Sequence, residues 1–94
     1  MDAREVPQAI SDALDAGRIE VTRHFWDELR EDAFVLADVR CALEAVSKIV
    51  PLGEDRAGNP KFEVSGMALD GRLVSVVCSF KPTGAVLLIT VYEG

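Results

Sequence analysis

"KFEVSGMALDGRLVSVVCSFKPTGAVLLITVYE", residues 61–93, decides the fold. It divides into three strand-like runs, 61–69, 72–81 and 85–93, rich in β-branched residues. The first break is Asp70-Gly71, a dipeptide suited to a type I′ hairpin because both central residues of that turn need positive φ. The second is Pro82-Thr83-Gly84. Connections this short join antiparallel neighbours, so the C-terminal third reads as a β-meander.

Phase assigns the faces. In the middle run Val74, Val76, Cys78 and Phe80 share one side, while Ser75, Val77, Ser79 and Lys81 share the other, so the first side is core. In the last run Ala85, Leu87, Ile89 and Val91 oppose Val86, Leu88, Thr90 and Tyr92. It is apolar on both sides until Thr90 and Tyr92, which predicts a central strand with a polar patch at its C-terminal end.

Upstream, Val6, Ile10 and Leu14 recur at helical spacing between Pro7, a first-turn proline, and Gly17, a stop. Residues 18–22, "RIEVT", alternate and predict a short strand. Thr22 is a good N-cap for a second helix over 23–32, whose apolar stripe is Phe25, Trp26 and Leu29. Leu36, Val39, Leu43 and Val46 predict a third helix over 37–47, with Asp38 placed to suit its dipole. "KIVPLGEDRAGNP", 48–60, begins as a strand and ends as a loop. The expected order is α-β-α-α-β-β-β-β: one α+β domain over 1–94, three helices packed on a four- to five-stranded, mainly antiparallel twisted sheet.

Composition bounds the function. Apolar residues are 49% and charged residues 28%, which excludes the low-hydrophobicity, high-charge regime of disordered chains. A domain of 94 residues leaves much of its surface wet, so a homodimer or a protein partner would help it. The longest apolar run, 85–89, is too short to span a bilayer, and the acidic first residues lack the apolar segment of a signal peptide. The expectation is a cytoplasmic protein without membrane contact. Cys41 and Cys78 lack CxxC spacing and read as free thiols. Net charge is −6, concentrated in residues 1–34, where nine acids face four arginines. Such a surface attracts basic proteins and disfavours RNA.

The only histidine, His24, falls off the apolar stripe of the second helix, among Asp27, Glu28 and Glu31. A histidine there can act as general acid or base, although a solvated side chain on a polar face is the simpler reading. His24 with Asp27 and Glu28 offers i, i+3 and i+4 ligand spacing. No second histidine or nearby cysteine completes a shell, so neither a metal nor a cofactor is expected. Tyr92 and Thr90, with Ser75, Ser79 and Lys81 on the neighbouring strand, are expected to line one polar patch. A phenol and an ammonium in such a patch can orient or polarise a phosphate.

Together, "VTRHFWDELREDAFVLADVRCAL", the strand around residues 49–52, "DGRLVSVVCSF" and the closing "LLITVY" resemble a small bacterial family, domain of unknown function 4258. Its pattern is a Thr/Ser-x-His opening a helix, an aspartate-valine third helix, a Gly-Arg hairpin and a terminal Thr-Val-Tyr, matched here over about residues 19–92. The family looks like a relative of RelE/BrnT-type toxins, small proteins with helices on a twisted antiparallel sheet, many of which cleave messenger RNA and are silenced by an antitoxin. Carried over by motif, the resemblance implies Thr22, His24 and Tyr92 as the positions to watch, with Arg72 at the hairpin. With Lys81 from the sheet patch, His24 and Tyr92 are the expected acid, base and phosphate contacts, and Thr22, Arg23, Arg72 and Thr90 the expected binding residues. The chain departs from the family where its helix usually carries arginines, with Glu28 and Asp32 in their place. Two functions are therefore expected: a toxin-like ribonuclease, weak or inactive, or a non-catalytic module whose acidic helical half binds an antitoxin-like or other basic protein.

Overall fold

The structure, a computed structural model, describes residues 1–94. After a 3-10 turn at Ala3–Glu5 come α1 (Val6–Ala16), β1 (Ile19–Val21), α2 (Arg23–Glu31), α3 (Leu36–Glu44), β2 (Lys48–Glu54), β3 (Pro60–Met67), β4 (Leu73–Phe80) and β5 (Val86–Glu93). The order of elements is the one the sequence predicts. α1 ends at Gly17, whose left-handed φ of 69° lets the Arg18 amide fold back onto the Ala13 carbonyl at 2.8 Å. α3 stops at Glu44 rather than near residue 47, because the Ser47 amide already pairs with the Ser65 carbonyl at 2.8 Å and draws the chain into the sheet.

The five strands lie in the order β1-β5-β4-β3-β2. β2 to β5 pair antiparallel, but β1 joins β5 in parallel, Ile19 beside Val86 and Val21 beside Leu88. The sheet is therefore mixed rather than mainly antiparallel. All three hairpins share one turn, with a three-residue loop ending in a left-handed glycine: Gly58, Gly71 and Gly84, with φ of 84°, 88° and 91°. Around Gly71, the Ala68 amide meets the Arg72 carbonyl at 2.8 Å and the Gly71 amide meets Ala68 at 3.0 Å. Only the glycine takes positive φ, so this loop is a turn with a G1 bulge in place of the type I′ turn suggested by Asp70-Gly71.

A second bulge re-phases β5. Val77 pairs with Thr90 and Cys78 with Leu88, leaving Ile89 as the extra residue. Simple alternation through this strand thus fails: Val86, Leu88 and Val91 all point into the core, and Thr90 and Tyr92 to the far side.

The helices cover one face only. Val6, Ile10, Phe25, Leu29, Val39 and Leu43 pack on Phe62, Val64, Val74, Val76, Cys78, Phe80, Val86, Leu88 and Val91 in one core, with Phe62 and Phe80 edge to face at 5.7 Å. Burial pushes the Cys78 thiol up to about 12, consistent with a packing role. Trp26 departs from its expected core place, lying 38% exposed and edge-on to Phe25. α3 comes close to β3 because Gly66 has no side chain; a Cβ there would sit 2.3 Å from the Ala42 carbonyl oxygen. The opposite sheet face, bearing Glu63, Ser75, Val77, Thr90 and Tyr92, has no helix on it. No helix is long and apolar enough to cross a membrane.

Candidate functional site

The site is built on the seam between α2 and β5. β1 is three residues long and pairs with β5 only as far as Leu88, so from Ile89 onward the outer edge of β5 has no strand beside it. Unpaired edge amides are costly and open to foreign strands. Side chains of α2 take the missing strand's place. The Thr22 hydroxyl caps the helix by accepting from the Phe25 amide at 3.0 Å, and donates to the Ile89 carbonyl at 3.1 Å. Farther along, Glu28 accepts from the Val91 amide at 3.3 Å and Asp32 from the Glu93 amide at 3.0 Å.

The spacing explains why two acids four apart do this. Four helical residues rise about 6 Å, and two strand residues rise about 6.8 Å, so carboxylates at i and i+4 meet amides at j and j+2. Glu28 and Asp32, which the sequence presents as acids where arginines are expected, are thus the groups that finish the sheet edge.

His24 stands at the start of this seam. Its Nε2 lies 3.1 Å from Glu28 Oε1, with the imidazole 66% exposed, so the carboxylate that holds Val91 also orients the histidine. Arg23 beside it is exposed and makes no ion pair or hydrogen bond to a side chain. A carboxylate-oriented imidazole in water can take or give a proton.

The remaining candidates lie elsewhere. Tyr92 projects from the face of β5 opposite the helices, and its hydroxyl donates to Glu63 on β3. That bond spans the intervening β4 and directs the phenol away from α2. The Glu63 carboxylate, with partial burial, holds the phenol above its ordinary range. Thr90 shares this face, but the patch expected around it is partly closed: Ser75 and Ser79 are buried, and Ser75 bonds to Ser65 at 2.8 Å. Lys81 faces Ala85 at the other end of the β4–β5 pair; Ala85 is seven residues before Tyr92, which puts Lys81 roughly 20 Å from Tyr92 along the strand. Its ammonium is 2.7 Å from Glu20 of β1.

Arg72 is fully occupied. Its three guanidinium nitrogens reach Asp70 at 2.7 Å, the Asp32 carbonyl at 2.9 Å and the Ala33 carbonyl at 3.0 Å, and its plane lies 4.0 Å over Phe34. It holds the two carbonyls just past the end of α2, where Ala33 turns the chain with φ of 55°. Asp38 completes this corner from α3, buried and accepting from the Val35 amide at 3.0 Å and the Leu69 amide at 3.3 Å.

The structure thus joins Thr22, His24, Glu28 and Asp32 along one seam, with Arg72 bound to the Asp32 carbonyl at its far end, places Tyr92 and Thr90 on the opposite face, and leaves Lys81 in a separate contact. No group of three or more His, Cys, Asp or Glu is arranged to hold a metal ion. Sequence reasoning missed Glu28 and Asp32 as edge caps, and Glu63 as the partner of Tyr92. The i, i+4 spacing of the acids was a usable signal for the first; the second needs the register of three strands.

No curated protein and no solved structure matches the chain. A family model does, described as Domain of unknown function (DUF4258) and aligned with residues 21–93, from the last residue of β1 to the end of β5. The match takes in the whole seam and the bare sheet face, and the chain belongs to that family.

Proposed function

We propose that the chain is a toxin-like protein of the RelE/BrnT kind that does not cleave RNA and acts as a binding module for a basic protein, antitoxin-like or otherwise. The observation that carries this reading is that every candidate catalytic group is engaged by a carboxylate of its own chain: His24 by Glu28, Tyr92 by Glu63 and Lys81 by Glu20. Cleavage of an RNA strand needs a base for the 2′-hydroxyl, an acid for the leaving oxygen and cations on the scissile phosphate, all within a few ångströms. Here base and phenol are on different faces, and each neighbouring carboxylate repels a phosphate. The kinship part of the proposal rests on the family resemblance and on the two-layer plan, three helices on one face of the sheet with the other bare.

Purified, folded protein incubated with messenger RNA, alone and with ribosomes, tests the chemistry. RNA of unchanged length is expected. Cleavage lost in His24→Ala or Tyr92→Phe overturns the reading.

A further inference from the structure

No further inference is drawn: the strongest candidate, the sheet face that bears no helix, carries Lys48 and Lys61 together with Glu63 in a charge-mixed surface around Val50 and Val77, and nothing in the structure shows what covers it.

Discussion

Removing the carboxylates of Glu28 and Asp32 distinguishes a sheet-edge cap from a solvated acidic face by the sign of the stability change. Each accepts a backbone amide of β5, Val91 at 3.3 Å and Glu93 at 3.0 Å. A charge-assisted bond of this sort is worth about 1.5–3 kcal/mol in a dry setting. Glu28 keeps 22% of its side chain exposed and Asp32 is half-buried, so water replaces part of each bond and about 1–2 kcal/mol per site is the sensible expectation. The double variant Glu28→Ala with Asp32→Ala should therefore lose roughly 2–4 kcal/mol, which in a domain of this size lowers Tm by roughly 10–20 °C. A merely solvated face predicts the reverse: net charge falls from −6 to −4, self-repulsion drops, and stability holds or rises. Urea denaturation gives the magnitude. Amide exchange gives the location, since Val91 and Glu93 should lose protection more than Val76 or Leu88. A double variant as stable as wild type, with those two amides still protected, would refute the edge-cap account.

Gly66→Ala should cost on the order of 3 kcal/mol, because its Cβ would meet the Ala42 backbone rather than a side chain able to move; thermal denaturation checks it. Arg72→Lys should lower Tm despite keeping the charge, since a lysine cannot reach Asp70 and two carbonyls at once or stack on Phe34; the same melting experiment decides. Tyr92, the only tyrosine, should titrate above the ordinary phenol range by ultraviolet absorption and return toward it in Glu63→Gln. Because its folded value is raised, that hydrogen bond stabilises the fold fully below the ordinary phenol range and is lost as pH rises through the raised value.

Most elements were legible because each carries a local signal. The alternation in 72–81, the Pro7 and Gly17 boundaries of α1 and the Thr22 cap all reflect forces acting within a few residues. What was not legible depends on partners far apart in sequence. The parallel pairing of Ile19–Val21 with Val86–Leu88 leaves no mark on either segment. The bulge at Ile89 sits in a strand apolar on both sides, where a shift of phase changes no hydrophobic count, so Val86, Leu88 and Val91 could not be grouped from pattern alone. Glu28 and Asp32 looked like an acidic face because the β5 edge they cap is some 60 residues away in sequence. Of the candidate site, His24 and Tyr92 were recognisable by residue type, but their separation onto two faces follows from the bulge and from Glu63.

The claim that the fold binds without cleaving is tested most directly by induced expression in a bacterial host, reading growth and bulk messenger RNA integrity in wild type beside His24→Ala and Tyr92→Phe, each confirmed folded. The account predicts normal growth and intact RNA in all three. Growth arrest with RNA loss in the wild type, relieved by either substitution, would contradict it.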